Sequence, residues 1–141
     1  MTLTELNYEA VEVGTELPAY TTASISRTTL ALYAGASGDH NPMHIDIDFA
    51  KQSGMPDVFV HGMLNMAYLG RLLTNWVPQS AIRQYKVRFA AITAVGDKIN
   101  CYGKVVEKIE RDGENLVRLE LVAQNQDGDV KLNGQALVTL P

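Results

Sequence analysis

The stretch VHGMLNMAYLGRLLTNWVP, residues 60–78, decides the fold of this 141-residue chain. Apolar residues recur along it at helical spacing, at Leu64, Ala67, Leu72 and Trp76. Because apolar side chains nearly surround the helix axis, we expect this helix to be buried. It is predicted to begin near His61 and Gly62 and to reach about Val77, where Pro78 ends it.

The side-chain period changes from helical to alternating after this helix. At residues 85–89, apolar side chains alternate with basic ones, as in a β-strand. Further strands are predicted at 99–109, 116–122 and 130–140, with turns at 111–114 and 127–129. One buried helix and such an antiparallel meander predict an α+β fold in which the sheet wraps the helix. The meander leaves free edge strands, so sheet-to-sheet association into a homodimer or a higher oligomer is expected.

Two shorter helices are predicted ahead of the long one. The first begins near Ser26, whose hydroxyl is a suitable cap, and is stopped by Gly35 and Gly38. The second covers residues 46–52 and ends at Gly54.

Composition and charge indicate a single soluble domain over residues 1–141. The chain is 46% hydrophobic and 20% charged, and no internal repeat or linker is visible. A net charge of −4 gives no basic footprint for nucleic acid. The single cysteine, Cys101, excludes an internal disulfide framework and a four-cysteine metal site.

The expected compartment is the cytoplasm. Residues 1–14 carry acidic side chains and lack the basic-then-apolar pattern of a signal peptide. The charge-free stretch at 58–70 is too short to span a bilayer, so no membrane association is expected.

The loop GDHNPMH, residues 38–44, carries the candidate chemistry. Pro42 disfavours a helical conformation at Asn41, so the segment must be a loop that can fold Asp39 and His44 toward one point. A carboxylate and an imidazole that converge on one water form an acid/base pair. The alternative is an ordinary polar turn, in which Asp and Asn side chains bond to the nearby backbone.

The same loop offers only a weak metal signal, and no metal is predicted. His40 and His44 share a spacing seen in metal ligands, but Pro42 breaks the helix that would align them. His40 is expected to be a solvated loop residue.

The start of the long helix is a second candidate site. The free amide of Gly62 at the helix N-terminus can polarise a carbonyl and stabilise an oxyanion, and glycine lets a ligand approach closely. The alternative for Gly62 is tight packing of the helix start against the sheet. His61 is expected to be a half-buried capping residue.

The basic residues of the first long strand are a third candidate. Lys86 and Arg88 fall on one strand face and are expected to form a solvated outer face. Their alternative role is to contact the phosphates of a substrate carrier.

Three motifs together give the chain a family resemblance. YAGASGDHNPMH at 33–44, with Ala50 following, HGML at 61–64, and VRF with a later GD within 87–97 occur in this order. The chain resembles the MaoC-like dehydratases, the hydratase-2 group of the hot-dog fold. The resemblance implies a long central helix wrapped by an antiparallel sheet, in a protein that is usually dimeric.

The resemblance also implies the reaction and the roles of the residues. Such enzymes interconvert trans-2-enoyl and (R)-3-hydroxyacyl thioesters of coenzyme A or acyl carrier protein, with no cofactor. By resemblance, Asp39 and His44 hold the water, and the Gly62 amide receives the thioester carbonyl. Asn41 is grouped with Gly62 on the oxyanion and substrate-binding side of the site and is expected to brace the loop rather than to react. Ile92 stands where the family often carries a proline, which affects the expected shape of that loop.

Two other functions remain open at this point. One is a thioesterase of the same fold, since the same helix end can polarise a carbonyl for hydrolysis. The other is a non-catalytic acyl-thioester-binding protein, or one subunit of a heterodimeric dehydratase with a related hot-dog partner.

Overall fold

The computed structural model describes residues 6–141. The first five residues of the predicted domain, which also begin the acidic N-terminal segment, lie outside the described residues. Three helices and five strands follow in chain order: β1 Tyr20–Thr21, α1 Arg27–Ser37, α2 Ile47–Gln52, α3 Gly62–Thr74, β2 Ile82–Phe89, β3 Asn100–Arg111, β4 Glu114–Gln124 and β5 Val130–Thr139. Short 3₁₀ turns cover Pro42–His44 and Gln79–Ala81.

The strands form one antiparallel sheet in the order β1-β3-β4-β5-β2. Helix α3 contacts all five of these strands, so the sheet curls around it. This confirms the predicted α+β fold with a wrapped central helix, the hot-dog architecture. The β3–β4 turn falls at Asp112 and Gly113, which have φ of 52° and 78° and therefore suit a tight hairpin.

The core lies between α3 and the concave face of the sheet. Leu69, Leu72 and Leu73 of α3 are fully buried, as is Leu121 of β4. At Gly103 of β3 an added Cβ would lie 3.0 Å from Leu121 and 3.2 Å from Leu72, so the absence of a side chain lets helix and sheet approach closely. Each buried leucine contributes about 1.5–3 kcal/mol relative to an exposed one.

The long helix differs from its prediction in two ways. Its regular span ends at Thr74 rather than near Val77, with Asn75 as the C-cap, although the Val77 amide still donates to the Leu73 carbonyl at 2.8 Å. The expectation that it is buried all round is wrong: Met63 is 53% exposed and Ala67 is also exposed. The sheet of one chain covers only one side of α3, which leaves this apolar face open.

The two shorter helices start where predicted, and the second also ends where predicted. Ser26 caps α1 by accepting a hydrogen bond from the Thr29 amide, and Gly38 ends that helix with φ of 76°. The helix continues through Gly35, which was predicted to help stop it. Asp46 caps α2, and Gly54 follows it with φ of 89°.

Two chemical properties of the fold bear on the expectations above. Within residues 6–141, no helix combines the length and apolar character needed to cross a membrane. Cys101 is a free thiol buried in the core, and burial raises its pKa to about 12.

Candidate active site

The loop after α1 is held in shape by its own side chains. The Asp39 carboxylate accepts a hydrogen bond from the Asn41 amide at 3.2 Å, and the Asn41 side-chain oxygen accepts one from the Met43 amide at 3.0 Å. Pro42 then begins a 3₁₀ turn, a position where its missing N–H costs nothing. Asn41 therefore braces the loop, as expected, because its side-chain oxygen is used by the backbone.

His44, at the end of this turn, has a fixed orientation. Its Nδ1 lies 2.7 Å from the main-chain oxygen of Phe59, and a carbonyl only accepts, so Nδ1 carries the hydrogen. Nε2 is then the unprotonated nitrogen of the neutral ring. The side chain is 8% exposed, and the Phe59 ring packs edge-on against it at 5.0 Å. His44 thus offers one free nitrogen from a largely buried ring.

His61 lies directly against His44, which the sequence reading did not foresee. Its ring stacks on that of His44 with centroids 4.0 Å apart and 26° between planes. The prediction of a half-buried capping histidine is wrong: the side chain is fully buried and makes no capping hydrogen bond to α3. Burial lowers the pKa of His61, and the neighbouring His44 lowers it further.

The start of α3 lies beside these groups. Gly62 is the first helical residue, so its amide belongs to the set that has no partner within the helix. The backbone ahead of it is tied down, since the Val60 amide donates to the Thr93 carbonyl at 2.9 Å. A Cβ on Gly62 would lie 3.0 Å from the Phe89 ring. Packing and ligand access therefore both favour glycine at this position.

The site brings a carboxylate and two imidazoles together. One ligand-type atom each from Asp39, His44 and His61 lie within 4.8 Å of one another. His40 is exposed and belongs to no such cluster among residues 6–141. A metal ion needs lone pairs that point at one centre, whereas the two stacked rings hold their in-plane lone pairs in planes only 26° apart, an unfavourable arrangement for two ligands of one ion. A carboxylate beside an imidazole is also the arrangement that acid/base chemistry on a water requires.

A cleft of about 350 Å³ opens beside the helix start and is lined by Gly62, Asn65, Phe89 and Thr93 among others. Asn65 was not singled out from sequence. Its amide nitrogen donates to the Thr93 hydroxyl at 2.6 Å, while its buried oxygen has no partner among residues 6–141. An asparagine at i+3 from Gly62 on a helix was the only signal available in the sequence.

Loop 90–97, of which residues 90–93 line the cleft, is fixed by polar contacts. Lys131 donates from Nζ to the Ile92 carbonyl at 2.8 Å, which holds the loop where the family often has a proline. Asp97 accepts hydrogen bonds from the Ala94 amide and the Gln126 side chain. The GD of the third motif is therefore a structural element of this loop.

Lys86 and Arg88 lie away from Asp39 and His44. Their neighbours Tyr85 and Phe89 face α3, where the Tyr85 hydroxyl donates to the Met66 carbonyl. Alternation along β2 therefore puts Lys86 and Arg88 on the opposite sheet face, where both are exposed. Within one chain, the structure does not bring these two cations together with Asp39 and His44.

The fold and the site define the class of the protein: a hot-dog domain with a carboxylate and an imidazole set against the N-terminus of its central helix. Residues 9–126 match the family model described as "MaoC like domain". The chain belongs to the MaoC-like family.

Individual relatives support the same assignment. The chain is 27% identical over 138 residues to the (R)-specific enoyl-CoA hydratase of Aeromonas caviae, covering 96% of this chain and 100% of that protein. The R-hydratase PhaJ1 from Pseudomonas aeruginosa superposes with a TM-score of 0.84 at 30% identity, covering 96% of this chain and 85% of that one.

A third relative is much larger. Fatty acid synthase subunit beta of Saccharomyces cerevisiae is 29% identical over 140 residues, which is 94% of this chain and 6% of that protein. The domain thus corresponds to a small part of a long chain in one relative and to the whole of another.

Proposed function

We propose that this protein is a hydro-lyase that interconverts trans-2-enoyl thioesters and (R)-3-hydroxyacyl thioesters. The observation that supports the proposal is the cluster of Asp39, His44 and His61, whose ligand-type atoms lie within 4.8 Å of one another, with His61 directly before Gly62, the first residue of α3. Relatives named as (R)-specific hydratases, one of them matched over its whole length, support the reaction class.

The geometry divides the reaction between two places. The substrate carbonyl accepts a hydrogen bond from the Gly62 amide, which stabilises negative charge on that oxygen as the enolate forms. Asp39 and His44 hold the water between them; one of them takes a proton from the water as its oxygen bonds to C3, and the pair returns one proton to C2. One O–H bond of water and the C2–C3 π bond are broken, and one C–O and one C–H bond form, so the pair ends with the number of protons it began with.

Hydration of crotonyl-CoA and of a longer trans-2-enoyl-CoA tests the proposal. The conjugated enoyl-thioester absorbance is expected to fall on adding the purified chain, and chiral analysis of the product is expected to give the (R)-3-hydroxyacyl thioester. His44→Asn is expected to abolish this turnover. His40→Asn is the matched control and is expected to retain it, because His40 is exposed and lies outside the cluster.

Other outcomes would identify the rival functions. Release of free thiol without a hydroxyacyl product would identify a thioesterase and contradict the proposal. Failure to turn over any enoyl-CoA or enoyl-carrier-protein substrate by the folded chain, alone or with a related subunit, would leave a binding role.

The carrier of the substrate is a finer part of the proposal. We take coenzyme A or acyl carrier protein as the carrier, with Lys86 and Arg88 as candidate contacts for its phosphates. Both side chains are exposed, and they flank a surface groove with Asn133 and Gln135. If they hold phosphate, Arg88→Gln raises KM a few-fold with kcat unchanged, and the effect weakens at high salt. Unchanged KM would return both residues to a solvated surface.

We further propose that the protein acts in the cytoplasm. Its active form is proposed to be a dimer. Strand β2 is an edge of the sheet, and Met63, Phe89 and Ile92 expose apolar side chains at 53%, 52% and 53% near it and near the start of α3. A second copy, or a related hot-dog subunit, would cover this surface. Sedimentation of the purified chain tests this: a dimer mass supports self-association, and an inactive monomer that gains activity with a related subunit supports the heterodimer.

A further inference from the structure

His61 contacts both members of the proposed dyad, although the proposed reaction makes no use of it. Its ring stacks on His44, and its Nε2 lies 3.3 Å from the main-chain oxygen of Asp39. Tyr33 of α1 packs edge-on against the ring at 4.8 Å. The side chain is fully buried, so it cannot serve as a surface group. One residue therefore links the two groups that are proposed to hold the water.

The hydrogen bonding of His61 defines its tautomer. A carbonyl oxygen only accepts, so Nε2 donates to Asp39 and Nδ1 keeps a bare lone pair. No hydrogen-bond partner for that Nδ1 exists among residues 6–141. A proton on Nδ1 would have no acceptor and would place a buried charge against the ring of His44. The neutral Nε2–H form is therefore the stable one.

The groups that face His61 are Tyr33 from α1, Asp39 from the loop and His44 from the 3₁₀ turn. Burial and His44 lower the pKa of His61, while the hydrogen bond to the Asp39 backbone and the Asp39 charge oppose them. The net direction is downward, in agreement with the hydrogen-bonding pattern.

We infer that His61 is a positioning residue, an imidazole that holds the His44 ring by stacking and the Asp39 backbone by its Nε2–H. It acts through these two groups and does not itself touch the substrate. The inference rests on the proposed function, because it assigns His61 to the alignment of the proposed dyad. A small misalignment of reacting groups lowers the rate without weakening substrate binding.

Two variants separate the two contacts in kinetics. His61→Phe keeps a ring against His44 but removes the N–H; kcat is expected to fall about tenfold with KM within about twofold. His61→Gln keeps an N–H near the Nε2 position without a ring, and its kcat is expected to lie between those of His61→Phe and wild type. His40→Phe is the matched control and is expected to leave both constants unchanged.

Stability distinguishes positioning from mere packing. His61→Phe removes the hydrogen bond to the exposed Asp39 backbone, but it also removes a buried nitrogen that has no partner among residues 6–141, so its Tm is expected to be no lower than that of wild type. Lower kcat in a protein of undiminished Tm supports the inference. Wild-type kcat in His61→Phe, or a lowered Tm with kcat unchanged, overturns it.

Nuclear magnetic resonance of the three histidine rings gives a readout that does not depend on turnover. The expected spectrum shows His61 as the Nε2–H tautomer at about pH 7.5, with the His44 ring signals shifted in His61→Phe but not in His40→Phe. An Nδ1–H tautomer or unshifted His44 signals overturn the inference. If wild type lacks hydratase activity but these signals behave as expected, the proposed function fails while the link between His61 and the two groups stands.

Discussion

The two ends of α3 serve different purposes. At its C-terminal end, Leu72 and Leu73 are fully buried and pack within the hydrophobic core. At its N-terminal end, two buried polar atoms have no partner within the described part of the chain: Nδ1 of His61 and the side-chain oxygen of Asn65. Unpartnered buried polar groups destabilise a fold, so the N-terminal end is organised at some cost to stability. The same helix therefore stabilises the core at one end and carries the proposed site at the other.

The largest expected effect is on activity at the N-terminal end. Asp39→Asn is expected to lower kcat by about 10³-fold, because the carboxylate is lost as an acid/base group. Asn keeps a side-chain oxygen that can accept from the Asn41 amide, so the loop and the Tm should be preserved. Steady-state hydration kinetics and a thermal melt measure both. A variant that retains more than about a tenth of the wild-type kcat would remove Asp39 from the proposed dyad.

The next effect is on stability at the C-terminal end. Leu72→Ala is expected to lower the free energy of unfolding by about 2–5 kcal/mol, because the side chain is fully buried against Gly103 and the sheet. Denaturant unfolding measures this loss, with Leu32→Ala as the control at a position that is 70% exposed. The kcat of the folded fraction should stay near that of wild type. A large loss of kcat without loss of stability would contradict the proposed difference in role between the two ends of α3.

A pair of glycine substitutions compares the two regions directly. Gly62→Ala is expected to lower kcat/KM about 10- to 100-fold, because its Cβ would lie 3.0 Å from Phe89 and would crowd the amide offered to the substrate. Gly70→Ala, two turns along the same helix, puts its Cβ in ordinary contact with Tyr85 at 3.4 Å. It should keep wild-type kinetics and gain a few tenths of a kcal/mol of helix stability. Equal kinetics for both variants would contradict the role of the Gly62 amide.

The smallest effect is a pH dependence of stability. Because the pKa of His61 is lowered in the folded protein, mainly by burial, the unfolded chain binds the extra proton first. Its contribution is fully present above about pH 6.5 and is lost as the pH falls toward the lowered pKa, with a slope of at most about 1.4 kcal/mol per pH unit. Unfolding titrations of wild type and His61→Phe between about pH 7 and about pH 5 measure it. The wild type should lose more stability on acidification; parallel curves would show that His61 does not titrate on unfolding.

Periodicity predicted most of the fold because each element carries its own pattern. The helix within residues 60–78 and the alternating strands after Pro78 were predicted correctly, because the local spacing of apolar residues decides these elements. The exposed face of α3 was not predicted, since the apolar pattern of a helix does not reveal whether its own sheet or another surface covers it. The two-residue strand β1 has no periodicity to detect.

The candidate site was predicted in part, for a similar reason. Asp39 and His44 lie five residues apart in one loop, so their convergence follows from local turn chemistry. The stack of His44 on His61 and the bond from Asn65 to Thr93 join residues 17 and 28 positions apart. Such contacts depend on how α3 packs against the loops, and no local pattern in the sequence encodes them.

A double-mutant cycle tests whether the side chains of Asp39 and His44 act on one water as a unit. Hydration rates of crotonyl-CoA are measured for wild type, Asp39→Asn, His44→Asn and the double variant. The double variant is expected to be only slightly slower than the slower single variant, because either change already disables the pair. If the rate losses of the two single variants multiply in the double variant, the two groups act independently and do not form the proposed pair.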